Sequence, residues 1–177
     1  MASSTPVPSN DPLTEHKAIL ALIHKFLSGI KLRDPTLMHS CILPSGHALL
    51  IRPIADKISS LVEHSHQSTS PRQHLQITLP EVIDRIPFDS PVSMEENIAL
   101  TVWEDGDNGD KYGGRKSEIR VDGDIAFAWT PYEVRLGGVL HHVGTNVFSF
   151  VRRLDGPEKG GWVIAYVGDT FKEVQMS

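Results

Sequence analysis

The sequence predicts an α+β fold in which helices come first and an antiparallel sheet follows. Three observations carry this reading. Apolar residues recur at helical spacing in the first half of the chain. The last third is rich in Val, Ile, Phe, Trp, Tyr and Thr, the residue types that suit a pleated, half-buried surface. Gly123-Asp124, Gly137-Gly138 and the stretch 155–161 divide that third into strand-length pieces.

The first helix starts near Asp11-Pro12 or Thr14, because Asp and Thr suit an N-cap and proline is tolerated at the first helical position. Ile19, Leu20, Ile23, Phe26 and Leu27 then form one apolar stripe, and Gly29 is the expected end. Asp34-Pro35 repeats the cap-plus-proline signal and opens a short helix over 35–41. Pro44-Ser45-Gly46 reads as a turn, 47–52 as a short apolar strand and 53–63 as a third helix. The polar stretch 64–74, with three histidines and four Ser/Thr residues, reads as a loop, and 79–86 as one or two helical turns. The Asp/Gly-rich segment 105–114 is expected at a solvent loop. Strands are expected over 117–121, 125–136, 139–153 and 162–171.

Composition narrows the function classes. The chain has 177 residues, a length typical of one domain, and its Met1–Asn10 stretch is Ser/Pro-rich and uncharged. A flexible tail over 1–12 and one domain over 13–174 are the expected organisation. Lys plus Arg number 17 against 22 Asp plus Glu, a net charge of −5, which argues against a nucleic-acid partner. Cys41 is the one cysteine, so neither an intrachain disulfide nor a multi-cysteine zinc site can form. No apolar run approaches the ~18–20 residues of a membrane span, and the N-terminus lacks the pattern of a signal peptide. These features point to a soluble, cytoplasmic protein.

The strand over 139–153 is apolar on both parities: His142, Gly144, Asn146, Phe148 and Phe150 on one face, His141, Val143, Thr145, Val147 and Val151 on the other. A sheet with one wet face would alternate apolar with polar. The helices cover one face, and a second copy of the chain, giving a homodimer through the sheet, is the simplest cover for the other. A loop or tail folded over that face is the alternative.

Several motifs then occur in a telling order. Gly123-Asp124-Ile125-Ala126 leads into a strand. Tyr132-Glu133-Val134 and Gly137 follow, then His142-Val143-Gly144-Thr145-Asn146-Val147-Phe148, and finally Gly161-Trp162-Val163-Ile164 with Gly168-Asp169-Thr170. This series resembles the NTF2-like superfamily, which includes the SnoaL-like cyclases, most closely from Val121 onward. Val163 departs from the lysine found in many relatives, and the long segment 64–114 does not align with the family pattern. The resemblance implies an NTF2-like conical barrel, with N-terminal helices packed in a strongly curved antiparallel sheet around an apolar pocket. It also implies either a cofactor-independent enzyme of isomerase, cyclase or dehydratase type, or a non-catalytic ligand-binding or dimerisation module.

Candidate chemistry rests on residues that such a pocket would gather. His142 and Asn146 share one strand face about 13 Å apart at ~3.3 Å per residue, with Gly144 leaving room between them. His142 suits general acid or base work and Asn146 suits a hydrogen bond to a developing oxyanion. The alternative reading of the same pair is a bonded core or interface histidine and an inter-strand asparagine. Asp169, if enclosed by apolar walls, would shuttle a proton at a raised pKa, or would pair with an arginine such as Arg153. His39 lies on the short helix that in this fold resembles a pocket wall, and Asp34 reads as a helix cap. Tyr132 and Glu133 face opposite ways, so only one can enter the pocket; Tyr132 would orient a carbonyl or fill the core. Trp129, Phe148 and Phe150 are the aromatic residues expected to shape the cavity.

No metal and no cofactor are expected. His64-x-His66 is not a zinc spacing, and strict alternation would send His141 and His142 to opposite faces. No phosphate-cradling glycine loop and no Gly-x-Ser-x-Gly elbow occurs. The expected partner is a small apolar metabolite.

Overall fold

A computed structural model describes residues 12–53, 72–101, 104, 112, 114–155 and 159–174. Helix α1 spans Pro12–Leu32 and α2 spans Pro35–Cys41. Strand β1 (Ile42–Pro53) follows, then β2 (Arg72–Thr78), helix α3 (Leu79–Asp84), β3 (Met94–Ile98) and β4 (Glu118–Asp122). The chain ends in β5 (Ile125–Leu136), β6 (Val139–Arg152), β7 (Trp162–Asp169) and the short β8 (Lys172–Glu173). The main path of the sheet runs β2-β1-β7-β6-β5-β3, with β4 also on β5 and β8 on β6. β2 and β3 remain edges, so the sheet is open and curves over the helices, in keeping with the expected conical α+β fold.

The apolar stripe of α1 is the centre of the core. Ile19, Ile23, Phe26, Leu27 and Ile30 are buried against Phe148, Phe150 and Ile164 of the sheet. Each such side chain contributes roughly 1.5–3 kcal/mol by leaving water. Glu15 anchors the first turn: it accepts from Trp162 Nε1 at 2.7 Å and pairs with Arg152 at 2.7 Å.

Gly29 does not end α1. The helix runs to Leu32 and stops where Arg33 adopts a left-handed φ of 58°. Gly29 serves packing, since a Cβ there would meet the Asp34 carbonyl oxygen at 3.1 Å and Met38 Sδ at 3.3 Å. Asp34 caps α2 as expected, accepting from Leu37 N at 2.9 Å. Thr78 and Glu81 form a reciprocal capping box on α3.

Three other expectations change. Pro44-Ser45-Gly46 is not a turn; it lies inside β1, where the register with β7 shifts between Ile42 and His47. Part of the stretch read as a loop, from Arg72, is strand β2, paired along β1. β1 runs parallel to β7, so the sheet is mixed and not wholly antiparallel. The 53–63 helix, beyond Pro53, lies outside the described residues, as do His64, His66 and most of 105–114.

The Gly137-Gly138 hairpin forms with positive φ at both residues (58° and 82°), the conformation of a two-residue turn that suits the sheet twist. Gly144 answers a different need. The C-terminal segment crosses β6 there, and a Cβ would overlap the Thr170 carbonyl oxygen and stand 2.7 Å from Tyr132 Cε1. Thr170 is bound on both sides of that crossing, by Thr170 N to Thr145 O and by Thr145 N to Thr170 Oγ1, at 3.1 and 3.0 Å. Gly144→Ala should therefore destabilise the protein by about 1–3 kcal/mol, the range for overpacking, read as a lower urea midpoint. An unchanged midpoint would show that the crossing is not fixed.

Candidate functional site

Helices and sheet enclose a cavity of about 170 Å3 with two unlike walls. Phe26, Leu27 and Ile30 of α1, Met38 of α2, and Leu79 and Val82 of α3 make an apolar wall. The polar wall comes from the sheet: Arg52 of β1, Glu96 of β3, Tyr132 of β5, His142 and Asn146 of β6, and Asp169 of β7. Register explains the convergence. Asn146 stands opposite Asp169, Glu96 opposite Val134, and Val134 opposite His142, so these side chains share the concave face.

Glu96 is the distinctive group. It is partly buried, and Asn146 Nδ2 donates to its Oε1 at 2.6 Å. Burial pushes the Glu96 carboxyl up to about 7; the Asn146 hydrogen bond opposes this and the Asp169 charge adds to it. A carboxyl in that range holds or gives up a proton near neutral pH, as an acid–base catalyst must.

Asp169 is held differently. Arg52 donates to both of its oxygens, Nη1 at 2.5 Å and Nη2 at 2.6 Å. Burial still leaves the Asp169 carboxyl above its ordinary value, against the opposing hydrogen bonds and charge of Arg52. Burial works against the Arg52 cation, but the Asp169 hydrogen bonds and charge outweigh it and raise its pKa. The arginine partner is thus Arg52 and not Arg153, which reaches the Ser40 carbonyl at 3.4 Å.

His142 stacks on Phe171 with ring centroids 4.3 Å apart. Burial, with the charges of His141 and Arg52, lowers its pKa to about 4, so the ring is neutral at physiological pH. Its Nδ1 lies 2.8 Å from Nδ1 of His141. The expectation that these two rings diverge fails because the β5–β6 register shifts between Val134 and Arg135, which interrupts strict alternation beside His141. Among the described residues no group of three or more His, Cys, Asp or Glu side chains could hold a metal ion. Tyr132 lines the cavity but donates its hydroxyl hydrogen to the Thr170 carbonyl at 2.7 Å. Burial, then the charges of Asp169 and Glu96, raise its pKa.

Of the residues expected at the site, His142, Asn146, Asp169, Tyr132 and Phe148 line the cavity. Three stand elsewhere. His39 is on α2, 42% exposed and 4.0 Å from Asp84. Phe150 is fully buried behind Phe148, in the core. Trp129 points to the opposite face and is 51% exposed, because β5 turns Ala126 and Ala128 inward beneath the helices. Two residues were missed, Arg52 and Glu96. Arg52 had a signal, since it shares a parity with the buried Ala48 and Leu50. Glu96, one of two adjacent glutamates in a short polar segment, had none.

Solved structures share this architecture. An NTF2-like protein of unknown function from Shewanella baltica OS155 superposes with a TM-score of 0.54 at 16% identity, covering 94% of this chain and 100% of that one. A conserved protein from Planctomyces limnophilus DSM 3776 gives 0.59 at 13% identity, covering 92% and 99%. An NTF2-like protein of unknown function from Pseudomonas putida KT2440 gives 0.56 at 11% identity, covering 89% and 86%. The fold is therefore NTF2-like. No protein-family model matches the sequence, and no curated protein matches it significantly. No described helix is long and apolar enough to cross a membrane.

The raised Glu96 pKa has a stability consequence. Between the unfolded value near 4.5 and the folded value near 7, the native state holds a proton that the unfolded state has released. Stability therefore falls as pH rises through this window, and the full penalty, about 3 kcal/mol, is present above it. Glu96→Gln removes the penalty. Urea unfolding should show the variant more stable than the wild type at pH 8 and nearly equal at pH 5. A pH-independent difference would contradict the shift.

Proposed function

We propose that the cavity is the active site of a cofactor-independent enzyme that moves a proton on a small, largely apolar molecule, in a reaction of isomerase, cyclase or dehydratase type. The observation that carries this is the Glu96 carboxyl, held by Asn146 in a cavity whose opposite wall is hydrocarbon. As carboxylate, Glu96 takes a proton from carbon beside a carbonyl. The C–H electron pair moves toward the carbonyl oxygen as an enolate, and return of the proton to another carbon completes an isomerisation. Loss of a β-hydroxyl from the same enolate, with that proton, is a dehydration. Neutral His142 is suited to donate a hydrogen bond to the developing oxyanion without itself giving up a proton. Asn146 orients Glu96 through one N–H of its Nδ2.

Five ionisable groups around one cavity favour this reading over a purely structural pocket. The test is α-proton exchange of small cyclic ketones in D2O, followed by proton NMR. Exchange should be accelerated, its rate should rise with pH through about 7 as Glu96 ionises, and Glu96→Gln should lose a factor of about 10^2 or more. Exchange at the buffer rate across the panel, or an undiminished rate in the variant, would contradict the assignment.

We also propose that the outer sheet face forms a homodimer interface. Ile125, Phe127 and Trp129 of β5 are 46%, 50% and 51% exposed on that face, an apolar strip of the kind that marks association surfaces. Sedimentation at micromolar concentration should give a dimer for the wild type and a monomer for Phe127→Lys/Trp129→Lys. A monomeric wild type would refute it.

A further inference from the structure

We propose that Asp169 sets the charge preference of the cavity: by pairing with the Arg52 guanidinium it neutralises the cation that would otherwise receive an anion, so the site takes neutral molecules in preference to their carboxylated counterparts. This rests on the reading of the cavity as a ligand site.

The cation of the polar wall and two of its neutral donors already have acceptors. Among the described residues that line the cavity, Arg52 is the one cation. Both of its terminal nitrogens are on Asp169, and Nη1 also reaches the Ile51 carbonyl at 3.2 Å. One side of the guanidinium is further engaged by the Phe171 ring, 5.8 Å away. Asn146 Nδ2 is directed at Glu96 and the Tyr132 hydroxyl at the Thr170 carbonyl. A carboxylate entering this space would meet Glu96 and Asp169, two acids, and a cation whose Nη1–Nη2 fork is already filled. Fork-to-fork geometry is the arrangement an arginine would otherwise use to hold a ligand carboxylate. Asp169 thus occupies the place of an anionic ligand.

The wall opposite is hydrocarbon, so the preferred ligand is an apolar body with one uncharged polar edge. The volume of about 170 Å3 suits a single substituted ring; an engineered apolar cavity of about 150 Å3 in another protein holds benzene.

The test compares benzamide, benzyl alcohol and benzoate at low ionic strength and neutral pH. Binding is read from amide shifts at His142 and Asn146 in nitrogen–proton NMR spectra. The wild type should bind the neutral probes at least tenfold more tightly than benzoate. Asp169→Asn, which frees the Arg52 fork, should gain at least tenfold for benzoate with little change for benzyl alcohol. Arg52→Gln/Asp169→Asn should lose that gain. Benzoate binding to the wild type as well as benzamide does would overturn the charge preference while leaving the ligand site intact. A folded Asp169→Asn with no gain for benzoate would overturn it equally. Failure of all three probes to bind would remove the ligand-site reading, and the inference with it. If Asp169→Asn does not fold, the wild-type ratio of benzamide to benzoate decides alone.

Discussion

A carboxyl group placed against hydrocarbon must gain donors or give up its charge, and that constraint organises the concave face of this protein. Two carboxyls, Glu96 and Asp169, share one cavity, and the fold treats them oppositely. Asp169 receives a bidentate arginine. Glu96 receives one amide hydrogen bond from Asn146. The first arrangement keeps a charge pair in place; the second leaves a proton poised near neutrality. Neutral His142, stacked on Phe171, adds no charge that would relax either acid.

The architecture supplies what this division of roles requires. Helices α1, α2 and α3 present only apolar side chains to the cavity, which keeps the dielectric low on that side. The sheet presents the polar ones, at positions set by cross-strand register. The two layers are tied at the start of α1, where Glu15 joins Trp162 and Arg152 and the Arg152 guanidinium lies 4.0 Å from the Trp162 ring centroid. The C-terminal segment fastens the far side, with Thr170 bound to Tyr132 and Thr145 above the space left by Gly144.

Much of this was legible in the sequence because the relevant signals are local. The Asp34-Pro35 cap, the Gly137-Gly138 hairpin and the β5, β6 and β7 strands came from residue types whose preferences are set by their own backbone. His142 and Asn146 share a face because strand periodicity demands it. Where alternation breaks, the reading failed. The register shift beside His141 brought together two rings expected to diverge. At Trp129 alternation held, and the side chain turned outward because Ala126 and Ala128 take the buried parity. Glu96 was hidden for a physical reason: its role depends on β3 lying against β5, a long-range pairing that leaves no mark in Met94–Ile98 itself. The NTF2-like resemblance reached the fold, while the charge pattern inside it comes from this chain's own residues.

The most direct measurement is a pH titration of the glutamate side-chain carboxyls by carbon-13 NMR, with Glu96→Gln used to assign the signal. A Glu96 midpoint at about 7 is the predicted result. A midpoint in the ordinary glutamate range, about 4.3, would mean that the cavity wets the carboxylate as bulk water does, and the account of a poised proton would fail.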